Sequence, residues 1–200
     1  TDLIPLNELQ LRYSFSAPFY LLPNQFWTHK NHKIVIRALG LLKQKNKSIV
    51  VLATGNNSDY RQPNYFSSLE KLIENENVVD EFKVLGIIPH SDLLSLFQYS
   101  SAIINPSFFE GWSTVVEEAK VLSKKVIVSD IAIHKEQNPE FGIYFNPEDA
   151  EELALIMREN IVIKDFLSEN CNLAAEENFM GYGLSYQSII KQVVKSNCIH

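Results

Sequence analysis

The chain has 200 residues, 46% of them apolar and 21% charged, and a formal charge of -6 with Lys and Arg scattered along it. One domain of that length buries ~70% of its unfolded surface without disulfide or metal staples, and an acidic chain lacks the basic footprint that nucleic-acid binding requires. Cys171 and Cys198 suit reduced structural thiols, and the lack of an 18-residue apolar run or a basic-then-apolar leader argues against a membrane span or signal peptide, so a cytoplasmic location is expected.

Residues 1–17 read as linker-like. The first strand is predicted over 18–23 ("PFYLLP"), followed by a helix over 31–45 with Ile34, Ala38 and Leu41 on one stripe. A strand over 48–55 ("SIVVLATG") precedes a helix over 64–75, and a strand over 81–86 precedes a helix over 91–99. The pattern repeats with a strand at 101–106 and a helix at 114–123, a strand at 125–130 with no helix assigned after it, and a strand at 142–146 before a helix at 148–158. Beyond residue 160 the strands stop, and 161–200 reads as helices broken near "MGYG" (180–183). Strand and helix in alternation predict an α/β fold, a Rossmann-like parallel sheet of about six strands with helices on both faces. Ligands of such sheets sit at the carboxyl ends of the strands, which directs attention to the loops after residues 22, 54, 86, 105 and 129.

"PSFFEGWSTVVEEA" (106–119) is the segment richest in chemistry. On a helix starting near Thr114, Val115, Glu118, Ala119 and Leu122 share one face, whereas Glu117 lies with Lys120 and Lys124 on the other. Glu117 fits a capping box begun by Thr114 and complements the helix dipole. Glu118, on the apolar stripe, bears a desolvation cost unless something hydrogen-bonds it. A ligand hydroxyl or a protein donor would each serve. Glu110 follows a strand, beside a helix start at Ser113 and Thr114 whose free N–H groups favour phosphate. An anion flanked by two hydroxyl-gripping acids describes a nucleotide sugar; the bland reading is a capped helix with a surface Glu110 and a core-edge Glu118.

The same segment resembles the signature of retaining glycosyltransferases of the large group 1 family, two-domain GT-B enzymes with two glutamates separated by seven residues. The resemblance begins at "LLPNQFWTHKNH" (21–32), continues through "FKVLGIIPHSDLLSLFQYSSAIINPS" (82–107), "KKVIVSDIAIHKE" (124–136) and "GIYFNPEDAEELA" (142–154), and covers about 18–158. It implies that the chain is the C-terminal, nucleotide-sugar-binding half of a GT-B enzyme, with the N-terminal acceptor domain absent and 161–200 resembling the segment that returns to it.

By the same resemblance, Glu110 contacts hydroxyls of the transferred sugar, Glu118 the ribose, and the backbone of Gly111, Trp112, Ser113 and Thr114 the sugar and phosphate. Ser113 stands where members often have glycine. Lys30 matches the lysine that meets the diphosphate, and Gln25 stands where many members carry arginine. Ile88 matches a position that packs on the nucleobase, although core packing explains it equally well; His134 and Glu136 recur near the domain cleft. No metal or cofactor is expected, because His29 and His32 are spaced by three with no third ligand. The "QF...KNH" arrangement is also similar to a branch with mannosyltransferases of lipid-linked glycan assembly. The expected activity is retaining transfer from a nucleotide-diphosphate sugar to a glycan or lipid-linked acceptor, with peripheral membrane association where that acceptor is lipid-linked, and with this half alone binding donor but transferring nothing. The rival within the same fold is a non-catalytic nucleotide-sugar-binding scaffold. A dinucleotide-dependent dehydrogenase and an ATPase are disfavoured, since neither G-x-G-x-x-G nor a P-loop is present.

Overall fold

The computed structural model describes residues 3–16 and 18–161. The expected helices over 161–200, with Cys171 and Cys198, lie outside the described residues except for Ile161. The elements run α1 (Leu6–Tyr13), β1 (Phe19–Pro23), a single 3-10 turn (Thr28–Lys30), α2 (His32–Gln44), β2 (Val50–Thr54), α3 (Tyr65–Asn75), β3 (Phe82–Gly86), α4 (His90–Tyr99), β4 (Ile103–Asn105), α5 (Thr114–Val121), β5 (Val126–Ser129), α6 (Ala132–Gln137), β6 (Gly142–Phe145) and α7 (Ala150–Asn160). All strand pairs are parallel, in the order β3-β2-β1-β4-β5-β6. Strand order therefore reverses between β1 and β4, where Leu21 stands opposite Ile103.

The inner strands are buried on both faces, which is why their sequences are continuous apolar runs instead of alternating ones. Successive β1 residues feed opposite cores. Tyr20 and Leu22 pack with α2, α3 and α7, whereas Phe19 and Leu21 pack with α1, α4 and α5. The edge strands β3 and β6 are only partly buried.

Two elements correct the sequence reading. Residues 6–13 form a helix, not a linker: Leu9 is fully buried, and Asp92 of α4 accepts from Tyr13 Oη at 2.6 Å and Arg12 Nη1 at 2.5 Å. Helix α6, for which nothing was expected, is six residues long and lacks a side-chain cap, too short to show a period of its own.

His32, the first residue of α2, has no exposed surface and stacks on Phe26 with ring centroids 4.5 Å apart. Burial depresses its pKa to about 3. Because this folded-state value lies below that of an unfolded histidine, the unfolded chain takes up the proton first as pH falls through ~6.5, and stability drops from there down toward the folded value. Denaturant unfolding is expected to show a loss of roughly 2–3 kcal/mol between pH 7 and 4.5 from this group. His32→Phe should flatten that part of the profile, and a slope unchanged in the variant would refute the assignment.

Candidate functional site

The site residues gather where the strand order reverses. The β1–α2 and β4–α5 loops leave the sheet side by side there, and three contacts tie them to each other and to the β6–α7 turn. Phe108 N donates to His29 O at 2.8 Å, and the Asn31 side-chain amide donates to Pro106 O at 3.1 Å and to Pro147 O at 2.9 Å. Asn31 holds a left-handed backbone (φ 54), which asparagine tolerates better than most residues. Lys30 and Glu110 thereby meet: Lys30 Nζ lies 2.7 Å from Glu110 Oε1 and 2.8 Å from Oε2. Their side chains are only 13% and 7% exposed.

Beneath the pair runs a buried polar network. Asn105, at the end of β4, donates from Nδ2 to Ser113 Oγ at 2.6 Å, and its Oδ1 faces Asn24 Nδ2 at 3.3 Å and Ser107 Oγ at 2.9 Å. Ser107 Oγ is also 2.6 Å from Glu110 Oε1. A hydroxyl has one proton, so Ser107 donates to Glu110 or to Asn105, not to both. Ser129 Oγ donates to Ser107 O, and His134, fully buried, is held by Nδ1 against Ser129 O at 2.8 Å. Burial lowers the His134 pKa and favours the neutral ring.

Helix α5 opens above this network. Ser113 is its N-cap, in an extended conformation (φ -82, ψ 108), with Oγ accepting from Val116 N. The expected capping box from Thr114 to Glu117 is therefore corrected by one residue. Glu117 instead accepts from Gln137 Nε2 at 2.9 Å and pairs with Lys120, and the same Gln137 amide donates to Ser113 O at 2.8 Å. The negative φ of Ser113 places no demand for glycine at this position. The backbone N–H groups of Gly111, Trp112, Ser113, Thr114 and Val115 find no acceptor among the described residues. Gly111 has no positive φ, and a Cβ built on it would touch nothing within 4 Å. Neither backbone strain nor protein packing calls for a glycine there.

Glu118 lies on the face shared with Val115, Ala119 and Leu122, all buried, and is half-buried itself. Burial raises its pKa, opposed by the charge of His90, and no described residue hydrogen-bonds its carboxylate. Ile88 is partly buried against the α1/α4/α5 core, while its neighbour Ile87 is exposed. Gln25 is exposed, and its Oε1 accepts from Asn56 N at 2.7 Å, pinning the β2–α3 loop. Trp112, Phe108 and Phe109 are all exposed. His29 and His32 do not converge on a common point: His29 packs between Trp27 and Phe109, and His32 is buried on Phe26. Glu136 is exposed. Sequence reasoning missed Asn31, Asn105, Ser107 and Gln137; it also missed Arg61, which pairs with Asp59 at 3.0 Å and lies over the Trp27 ring at 5.2 Å. The one available signal was the asparagine and serine of "NPS" at the end of β4 and the asparagine of "KNH" just before α2.

Two surface concavities of about 730 and 740 Å³ open elsewhere, one against α2 and the β6–α7 turn and one along β3. Lys30, Glu110 and Glu118 line neither. Among the described residues no helix is long and apolar enough to cross a membrane.

A doubly wound parallel sheet with an open helix N-terminus, a lysine and a carboxylate at its switch point has the construction of an α/β domain that takes its ligand at the carboxyl ends of its strands. The model of the family "Glycosyl transferases group 1" matches residues 16–176, and the chain belongs to that family. It is 24% identical over 161 residues to the O-antigen chain mannosyltransferase RfbU of Salmonella typhimurium, an alignment covering 80% of this chain and 43% of that protein. The fold is shared with a glycosyltransferase from Rickettsia africae (TM-score 0.68, 22% identity, 96% of this chain and 53% of that one). It is shared too with Anabaena HepE solved with UDP-glucose (TM-score 0.71, 18% identity, 95% of this chain and 52% of that one). The chain spans about half the length of these relatives, and the match is to the Rossmann-like half of a GT-B fold.

Proposed function

We propose that the chain is the donor-binding half of a retaining glycosyltransferase, taking a nucleotide-diphosphate sugar for transfer to a glycan or lipid-linked acceptor. The observation that carries it is the unsaturated N-terminus of α5 at the switch point, with Lys30, Glu110 and a Glu118 whose carboxylate has no hydrogen-bond partner among the described residues. In this reading the diphosphate lies on the amides of Gly111, Trp112, Ser113 and Thr114 and meets Lys30, while the open space before Gly111 lets it approach. Glu118 takes the ribose hydroxyls, Glu110 the sugar hydroxyls, and Ile88 borders the base. Gln25 acts through the loop it pins. The positive groups sit where charge develops on the leaving nucleoside diphosphate, so preorganised donors do this work without a metal. A second domain, outside this chain, closes over the donor, excludes water and binds the acceptor. The mannosyltransferase relative and the UDP-glucose complex of a structural neighbour support a nucleotide sugar as ligand and a glycan-building pathway as context.

Calorimetric titration of the chain with nucleoside diphosphates and their sugars tests this. Binding is expected, and Glu118→Ala should weaken nucleotide by about tenfold, the worth of a hydrogen bond to a charged group, with Glu117→Ala weaker in effect. Failure of every nucleotide to bind would remove the donor-site reading. Equal losses for the two glutamates would remove Glu118 from the ribose.

A further inference from the structure

Lys30 and Glu110 engage each other with both carboxylate oxygens inside 2.8 Å, in a place where neither is more than 13% exposed. On the reading above, each has a ligand group of its own to hold. An arriving diphosphate must therefore draw Lys30 away from a carboxylate that cannot turn freely to water. Removing one partner of a buried ion pair is strongly destabilising, because the other is left charged and uncompensated. A nucleoside diphosphate brings nothing to Glu110. A full nucleotide sugar brings hydroxyl donors, and the Ser107 proton adds one more, since it can stay on Glu110 or swing to Asn105 as the carboxylate changes partners.

We infer that the Lys30–Glu110 pair is a specificity device that makes the site prefer the intact sugar donor to the spent nucleotide. With sugar present, Lys30 goes to the diphosphate and Glu110 to the sugar hydroxyls, so both charges stay paired. Once the sugar has left, Glu110 has no hydroxyl partner and recaptures Lys30, which loosens the nucleoside diphosphate. The pair couples departure of the sugar to departure of the product, and no other buried cation–carboxylate pair borders the α5 N-terminus among the described residues.

The test compares the affinity of UDP with that of UDP-glucose, and of GDP with that of GDP-mannose, for the full chain and for Glu110→Gln. The parent chain should hold a nucleotide sugar more tightly than its diphosphate. Glu110→Gln frees Lys30 at nearly constant shape, and the diphosphate should then bind about tenfold tighter or more, a close charge pair having been removed. The sugar should lose its advantage. If thermal melting shows that the variant is unfolded, Glu110→Asp, which keeps the charge but shortens the reach, should show the same change more weakly. Diphosphate affinity that is unchanged or lower in the folded variant overturns the inference and leaves the donor site standing. Failure of the parent chain to bind any of the four ligands overturns both.

Discussion

Lys30→Ala should abolish measurable nucleoside diphosphate binding to the chain and lower turnover of the assembled enzyme by ~100–1000-fold, the usual cost of removing one preorganised group that stabilises developing charge. The substitution removes the side-chain cation that contacts Glu110 and leaves that carboxylate, 7% exposed, with Ser107 as its hydrogen-bond partner among the described residues. A stability loss should accompany it, at the lower end of the ~3–5 kcal/mol typical of a broken buried pair, because Ser107 still serves one oxygen. The two effects can be separated. Lys30→Ala combined with Glu110→Gln removes the stranded charge, so stability should return while diphosphate binding does not. Chemical denaturation reads the first quantity and calorimetry the second. Retention of diphosphate affinity in Lys30→Ala would show that the α5 amides suffice and that the lysine is only a structural partner of Glu110.

How far the sequence reached depends on burial. The six strands were legible because β1, β2, β4 and β5 are buried on both faces and are written as unbroken apolar runs, and the turn residues between them are conspicuous. The phase of α5 was legible from Val115, Ala119 and Leu122, which put Glu118 on the buried face and Glu117 off it. Its start at Thr114 was legible too, but its cap was placed one residue late, since Ser113 and Thr114 are both good caps and Asn105, eight positions upstream, favours Ser113 by bonding it. The polar network under the site was not legible at all. Asn24, Asn105 and Ser107 stand at strand ends, where asparagine and serine ordinarily signal turns, and their pairing spans up to 81 positions of chain. Gln137 was hidden for a related reason: α6 is too short to show a pattern, so nothing indicated that its amide would reach Ser113 and Glu117. The mutual capture of Lys30 and Glu110 follows from two loops brought together at the switch point, a fact of topology that a list of matched positions does not contain.

The glycines divide by what holds them, and the division yields the largest stability effect expected here. Gly55, directly after β2, has φ +138, and a Cβ on it would stand 2.5 Å from Asn24 O, 2.9 Å from Asn24 C and 3.0 Å from Gln25 Cα. All three are backbone atoms, so no side-chain rotation relieves the clash. Gly55 N donates to Gly86 O at 2.9 Å, and Asn24 reaches Asn105 beneath the site, so a displaced Gly55 pulls on β3 and on the polar network together. Backbone strain alone accounts for ~1–3 kcal/mol, and with the clash Gly55→Ala should lose about 3 kcal/mol or more. For a domain of this size that lowers the melting temperature by ~6–12 °C. Gly111→Ala is the opposite case. Its φ is not positive and the new methyl would meet no described residue beyond its chain neighbours within 4 Å, so the melting temperature should stay within about 1–2 °C of the parent. On the donor-site reading that open space is where the diphosphate approaches, so nucleotide affinity should fall while the fold is kept. Thermal unfolding and calorimetry on the two variants give a crossed pattern: stability lost at residue 55, binding lost at residue 111. A Gly111→Ala chain that binds nucleotide as the parent does would mean that the diphosphate does not approach α5 at this turn.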